Sequence, residues 1–81
     1  MTKEEVIEKI NAVLAEEFEV EESVISPEAP LMKTLDLDSL DLVDVVVLVE
    51  ENFGIRLKNS DFVGISTFQD FYDLLNSKLG N

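Results

Sequence analysis

The sequence predicts an all-α fold, a small bundle of three long helices and one short helix with a long first loop. Apolar residues recur at helical spacing in three separate segments, and a capping pattern opens the first of them. The acidic residues of the second segment lie together on one side of a helix. With 81 residues, 46% of them hydrophobic, the chain suits a single domain over residues 1–81 with a small core, and no enzyme-sized cleft is expected.

The first helix is predicted over residues 3–17. Thr2 followed by Glu5 forms a capping-box pattern, in which each side chain accepts a hydrogen bond from the other residue's backbone N–H. Apolar residues then follow at the spacing of one helical face: Val6, Ile7, Ile10, Val13, Leu14 and Phe18. Residues 19–36 contain two prolines and several hydroxyl side chains, which predicts a loop. Because apolar residues are interspersed, we expect this loop to be pinned onto the core.

The second long helix is predicted from Ser39 to about Asn52. Its five valines favour a strand by propensity. At 100° per residue, however, the apolar residues fall on one face and the acids on the opposite side, whereas a strand would scatter the acids over both faces. The apolar face comprises Leu42, Val45, Val46, Val49 and Phe53. Asp38 or Ser39 is the candidate N-cap, and Gly54 ends the helix.

The remaining residues predict a connection with one short helix over 55–66, followed by the last long helix. Ser66 or Thr67 caps this last helix, Asp70 lies in its first turn and Gly80 ends it. Its buried stripe is predicted to comprise Phe68, Phe71, Tyr72, Leu75 and Leu79.

Charge and composition exclude several functional classes. A net charge of −12 disfavours binding to nucleic acid or anionic membrane and favours basic protein partners, although an acidic surface that serves only solubility is an equal alternative. The chain has no cysteine, which excludes disulfides and thiolate metal sites. The N-terminus lacks the apolar region of a signal peptide, and the longest apolar run, Val45–Val49, is too short to cross a bilayer. We expect a cytoplasmic monomer.

Ser39 is the residue with the clearest candidate function. No histidine exists in the chain to activate its hydroxyl as a nucleophile, so Ser39 is better interpreted as an attachment point than as a catalytic residue, and the protein is not expected to be an enzyme. The free N–H groups and positive dipole of a helix N-terminus would favour an added phosphate. The alternative is that Ser39 serves only as a helix cap.

The second helix also presents a candidate docking surface. Its apolar residues between the core face and the acidic side are expected to be partly exposed and framed by carboxylates, which suits transient binding to a basic partner. Packing of these residues against the long loop, most of all for Val43, is the alternative. The predicted surface comprises Leu40, Asp41, Val43, Asp44, Val47 and Glu51.

Taken together, these motifs make the whole chain resemble the acyl carrier proteins. The resemblance rests on Asp38-Ser39-Leu40-Asp41 after a long loop, on Val43-Asp44, on the stretch from Leu48 to Ile55, and on Ser66-Thr67-Phe68. It implies that a phosphopantetheinyl transferase attaches 4′-phosphopantetheine from coenzyme A to Ser39. The thiol of this arm would carry acyl groups as thioesters to fatty-acid, polyketide or related biosynthetic enzymes. Asp38 would approach the transferase's divalent metal during attachment, and the protein itself would hold no metal.

The resemblance further implies that the acyl chain is sheltered between the second helix, the short helix and the long loop. The implied lining residues are Leu31, Leu35, Leu42, Val46, Val49, Leu57, Phe62 and Ile65. The chain departs from the family pattern at Asp36, where glycine is usual, and at Lys33 and Thr34, where fatty-acid carriers are often acidic. A carrier of a specialised pathway, or an aminoacyl, peptidyl or D-alanyl carrier, is the alternative. A calcium-binding protein is disfavoured because the acids lack a ligand loop with a central glycine.

Overall fold

A computed structural model describes all 81 residues and confirms the all-α fold. The three long helices are α1 (Lys3–Glu17), α3 (Leu42–Phe53) and α4 (Phe68–Leu79), and a short helix, α2 (Leu31–Thr34), lies in the first loop. Two short 3₁₀ turns cover Glu22–Val24 and Asn59–Phe62. None of the helices is both long and apolar enough to cross a membrane.

The predicted start of α1 is confirmed by its cap. The Thr2 hydroxyl accepts a hydrogen bond from the Glu5 amide at 3.1 Å, and the Glu5 carboxylate accepts one from the Thr2 amide at 2.8 Å. The two bonds satisfy N–H groups that have no partner within the helix, and the hydrogen bond that the Glu5 carboxylate accepts from the Thr2 amide lowers the pKa of Glu5. The helix then buries Val6, Ile10 and Leu14 completely.

The second long helix begins later than predicted. Its regular part starts at Leu42 rather than at Ser39, because residues 38–41 form a tighter turn. The Asp41 amide donates to the Asp38 carbonyl at 3.1 Å, and the Asp44 amide to the Asp41 carbonyl at 3.0 Å, which are bonds to the third preceding residue rather than the fourth. Gly54 ends the helix as predicted, in the left-handed conformation with φ 69°.

The short elements also differ from the prediction. The region predicted as an uninterrupted loop contains α2, and the short helix predicted within residues 55–66 is the 3₁₀ turn Asn59–Phe62. The signal for α2 was present in the sequence: Pro30 stands at its N-cap, and Leu31 and Leu35 have the i, i+4 spacing of one buried helical face.

The first loop is tied to the start of α4 by backbone hydrogen bonds. The amides of Phe68 and Gln69 donate to the carbonyls of Ala29 and Pro27 at 3.1 and 3.0 Å, and the Leu31 amide donates to the Ser66 carbonyl at 3.0 Å. The loop therefore satisfies N–H groups that the first turn of α4 leaves unpaired. The prediction that this loop is pinned onto the core is confirmed.

The cap of α4 adds side-chain bonds at the same place. The Thr67 hydroxyl accepts from the Asp70 amide at 3.3 Å, so Thr67 rather than Ser66 is the N-cap. The Asp70 carboxylate accepts from the amides of Ser66 and Thr67 at 3.0 and 3.1 Å, and these bonds lower the pKa of Asp70.

One hydrophobic core joins the long helices. It comprises Val6, Ile10, Leu14, Ile25, Leu31, Leu35, Val45, Val49, Ile55, Leu57, Phe68, Phe71, Tyr72 and Leu75. The predicted stripe of α4 is confirmed, with Leu79 half-buried at its end. Two polar contacts link α1 to the other helices: the Tyr72 hydroxyl donates to Asn11 Oδ1 at 2.6 Å, and Lys9 Nζ donates to the Asn52 carbonyl at 2.8 Å.

Candidate functional site

Ser39 lies in a turn that its two acidic neighbours stabilise. Asp38 Oδ1 accepts hydrogen bonds from the amides of Leu40 and Asp41 at 2.9 and 3.1 Å, and Asp41 Oδ2 accepts from the Asp38 amide at 3.0 Å. Asp38 therefore caps this turn, whereas α3 itself has Asp41 at its N-cap and no capping side-chain bond, so the prediction that Asp38 or Ser39 is the N-cap of the helix is wrong. The Ser39 side chain takes part in none of these bonds, and the residue is exposed. Its hydroxyl is free for chemistry that a partner enzyme performs.

The position of this turn is set by the end of α2. The Leu37 amide donates to the Met32 carbonyl at 2.8 Å and the Asp36 amide to the Lys33 carbonyl at 3.2 Å, while Asp36 adopts a left-handed conformation with φ 54°. This pair of bonds is the Schellman motif, which ends a helix and usually has glycine at the left-handed residue. Asp36 therefore takes the left-handed position that glycine usually occupies, and the motif brings the chain directly into the Ser39 turn.

Replacing Asp36 with glycine is expected to stabilise the fold by up to about 1 kcal/mol. A left-handed residue with a Cβ costs roughly 1–2 kcal/mol, while glycine costs roughly 0.5–1 kcal/mol of backbone entropy in the unfolded chain. Urea unfolding of Asp36→Gly beside wild type measures the difference, and Asp36→Asn serves as a control that removes the same charge but keeps a Cβ. A larger gain from asparagine than from glycine would contradict the backbone explanation.

The predicted docking surface is exposed along α3 and the turn before it. Leu40, Val43 and Val47 are 80%, 55% and 46% exposed, and together they form an apolar patch on α3 and the turn before it. The alternative in which Val43 packs against the loop does not fit its exposure. Asp44 and Glu51 are exposed beside them, and Asp41 is half-buried by its role in the turn.

The acids of this surface have no basic partner within the protein. The two ion pairs of the structure are Arg56–Glu50 and Lys78–Asp61, at 3.4 and 3.5 Å, and neither includes Asp41, Asp44 or Glu51. The negative charge of the surface is therefore available to a basic partner.

The residues implied for the acyl chain lie together but enclose no cavity. Four of them belong to the core: Leu31, Leu35, Val49 and Leu57. Three more pack against the core: Val46, Phe62 and Ile65. The last, Leu42, is half-buried at the start of α3. The Phe62 ring stacks on the Phe71 ring with centroids 6.1 Å apart. The surface depressions of the structure lie elsewhere, between α1 and α3. A chain entering among these residues would have to displace packed side chains.

A phosphopantetheine group fits the turn at Ser39. A phosphodiester requires a hydroxyl that is accessible and not committed to other hydrogen bonds, and Ser39 meets both conditions. The neighbouring Leu40 is exposed as well, so the turn is open to solvent on this side. No group of three or more His, Cys, Asp or Glu side chains in the structure is placed to hold a metal ion.

Comparison with known proteins agrees with this geometry. A family profile described as the phosphopantetheine attachment site matches residues 8–75. The chain is 38% identical over 79 residues to an acyl carrier protein of Thermotoga maritima and 33% identical over 79 residues to one of Thermosynechococcus vestitus. It is also 35% identical over 79 residues to acyl carrier protein 2 of Ralstonia nicotianae, and each match covers 98% of both chains. The chain therefore belongs to the acyl carrier protein family, whose members carry acyl groups on a covalently attached phosphopantetheine.

Proposed function

We propose that Ser39 is the residue that carries 4′-phosphopantetheine, and that this protein presents acyl groups on that arm to biosynthetic enzymes. The observation that carries the proposal is an exposed serine hydroxyl, free of hydrogen bonds, in the turn that opens α3 within the matched region. The thiol of the arm supplies the reactive sulfur that a chain without cysteine does not have.

The surroundings of other serines support the choice of Ser39. The hydroxyl of Ser66 donates to Asp70 at 3.1 Å within the cap of α4, and that of Ser23 donates to Glu21 at 3.3 Å. Ser60 is exposed in a 3₁₀ turn but has no exposed leucine next to it. Ser39 combines an uncommitted hydroxyl with an apolar and acidic surface next to it.

The side chains near Ser39 have two further roles, in attachment of the arm and in binding of partner enzymes. Asp38 Oδ1 fixes the turn, which leaves its second carboxylate oxygen, Oδ2, free to approach the divalent metal of the transferase during attachment. The docking surface of Leu40, Asp41, Val43, Asp44, Val47 and Glu51 binds basic patches on the transferase and on acyl-handling enzymes. The protein is then a monomeric substrate of its partners rather than a catalyst. The names of the relatives favour acyl cargo over amino acids.

The proposal is tested by intact mass spectrometry. The purified protein is incubated with coenzyme A, Mg²⁺ and a broad-specificity phosphopantetheinyl transferase, and the product is digested to locate the added mass. We expect one phosphopantetheine per chain, on the peptide containing Ser39. No added mass, or a modified peptide from another part of the chain, would overturn the proposal.

The closed packing around Phe62 predicts how the protein responds to its cargo. Each sheltered methylene group is worth about 0.8 kcal/mol, but only if space opens for it. We therefore expect the melting temperature of the acylated protein to rise with chain length and to level off at short to medium chains. Melting curves of an acyl series measure this, and a steady rise through long chains would mean that the packing opens readily.

A matched pair of variants separates the Phe62 ring from general loss of packing. Phe62→Ala removes the ring stacked on Phe71 and is expected to cost roughly 1–3 kcal/mol in the unloaded protein, less than a fully buried phenylalanine. It should also move the plateau to longer chains. Phe18→Ala, at another half-buried phenylalanine packed against the core, should cost stability without moving the plateau.

A further inference from the structure

A groove runs between the C-terminal half of α1 and the outer side of α3. It consists of two adjoining depressions of about 470 and 330 Å³, which share Glu17 and Leu48. The wall from α1 is formed by Val13, Glu16 and Glu17 at i, i+3 and i+4, with Glu19 following the helix. The groove is a feature of the folded protein that the sequence patterns did not reveal, because it depends on how the two helices pack.

The wall from α3 is a single helical stripe. Its residues are spaced at i, i+3, i+4, i+7 and i+8, so they lie one above another along the helix. They are Asp44, Val47, Leu48, Glu51 and Asn52. Three of them, Asp44, Val47 and Glu51, belong to the docking surface, so the groove continues that surface across to α1.

The groove has a narrow apolar strip within a mostly polar, strongly anionic lining. Val13 and Leu48 are half-buried and Val47 is nearly half exposed, while the five carboxylates are exposed and no Lys or Arg side chain lines the groove. The last turn of α1 contains no basic residue, although a helix C-terminus carries partial negative charge and favours cations. The wall from α1 therefore has negative potential from two sources, the C-terminal end of the helix and the carboxylates of Glu16, Glu17 and Glu19.

We propose that this groove receives a basic amphipathic helix from a partner enzyme. Apolar side chains of the partner helix would cover Val13, Val47 and Leu48, and its Arg or Lys residues would pair with the carboxylates on the two walls. The groove follows α3, which has 12 residues and is about 18 Å long at ~1.5 Å per residue. A partner helix of three turns or more fits this length. The inference rests on the proposed docking role of α3 and extends it to the end of α1.

A binding measurement on the unmodified protein tests the inference. The probe is a stapled helical peptide of about 12 residues, matched to the length of α3, with leucines along one face and arginines on both flanks of that face. Glu16→Gln/Glu17→Gln/Glu19→Gln removes the charge of the α1 wall with little change in side-chain shape. Isothermal titration should show binding weakened by about fivefold or more, since three partly exposed charge pairs are lost.

Two controls make the result specific. Glu4→Gln/Glu8→Gln/Glu28→Gln changes three exposed glutamates outside the groove and leaves the same net charge, so binding should change by less than about twofold if the groove is the site. A scrambled stapled peptide of equal charge should bind weakly, and equally to the two triple variants, which have the same net charge. In ¹H–¹⁵N spectra, the amides of Val13, Leu48 and Asn52 should shift with the intact peptide.

Equal weakening by both triple variants would reduce the binding to general electrostatic attraction and would overturn the inference. Unmoved amide signals in the groove would overturn it as well. The peptide titration uses neither the transferase nor the phosphopantetheine arm. Its result therefore does not depend on whether Ser39 is the attachment residue, and each of the two proposals is tested separately.

Discussion

The Ser39→Ala variant should gain no phosphopantetheine under conditions in which the wild type is converted completely. The substitution removes the one oxygen to which the phosphate would be attached, so the expected effect is loss rather than slowing. The fold should persist, because Asp38 and Asp41 make the hydrogen bonds of the turn and Ser39 makes none of them. We expect the free energy of unfolding to change by no more than about 0.5 kcal/mol. Intact mass spectrometry and a urea unfolding curve measure the two quantities.

Ser60→Ala is the matched control for this experiment. Like Ser39, Ser60 is exposed in a turn and has an aspartate as its neighbour. This aspartate, Asp61, accepts a hydrogen bond from the Lys58 amide at 2.8 Å. It should be modified as fully as the wild type. Modification of Ser39→Ala, or loss of modification in Ser60→Ala with Ser39 intact, would assign the attachment to a different residue.

Reversing charge on α3 should slow attachment of the arm by about tenfold or more at low ionic strength, because electrostatically steered association depends on the charges of both partners. The structure determines which residues to change. Asp41 also accepts the Asp38 amide, so its replacement would disturb the turn as well as the charge. Asp44→Lys/Glu51→Lys leaves those bonds in place. The rate of mass gain with the transferase, measured over a range of salt concentrations, is the readout.

The control for charge reversal is Glu4→Lys/Glu8→Lys on α1, which produces the same net charge. Like Asp44, Glu4 lies in the first turn of its helix, so the interaction with the helix dipole changes equally. The wild type and this control should lose rate as salt rises, while the α3 variant should respond weakly. Equal rates and equal salt dependence for both double variants would mean that the acids of α3 only solvate the surface.

The long helices could be predicted because their signals are local. The Thr2–Glu5 capping box, the apolar stripe of α4 and the stop at Gly54 each depend on residues within a few positions of one another. The predicted start of α3 is three residues too early, because a capping aspartate is equally compatible with a 3₁₀ turn and with the first turn of an α-helix. Asp38 caps the 3₁₀ turn over residues 38–41. The two kinds of turn differ only in whether each amide donates to the third or the fourth preceding carbonyl. Helix α2 has only four residues, so its sequence signal is limited to Pro30 and one i, i+4 apolar pair, Leu31 and Leu35, which is too little to distinguish a helix from a loop.

The candidate site likewise has features that the sequence predicts and features that only the packing of the helices determines. Exposure of Leu40, Val43 and Val47 followed from their angle on one helix, and the structure agrees. The closed packing around Phe62 and the groove between α1 and α3 depend on how different elements pack, such as the Phe62 ring on the Phe71 ring of α4, or Glu17 and Leu48 on the two walls of the groove. A single sequence contains no periodicity that reports such contacts.

The hydrogen bonds between the first loop and α4 make these two segments one cooperative unit. If the loop lifts from the core, the amides of Phe68 and Gln69 lose the carbonyls of Ala29 and Pro27 at the same moment. Hydrogen–deuterium exchange at these two amides therefore reports the opening of a loop about forty residues earlier in the chain. An acyl chain that enters beneath the loop shifts the equilibrium between the closed and the open loop. The exchange rates of the Phe68 and Gln69 amides therefore report whether the acyl chain is sheltered beneath the loop or remains in solvent.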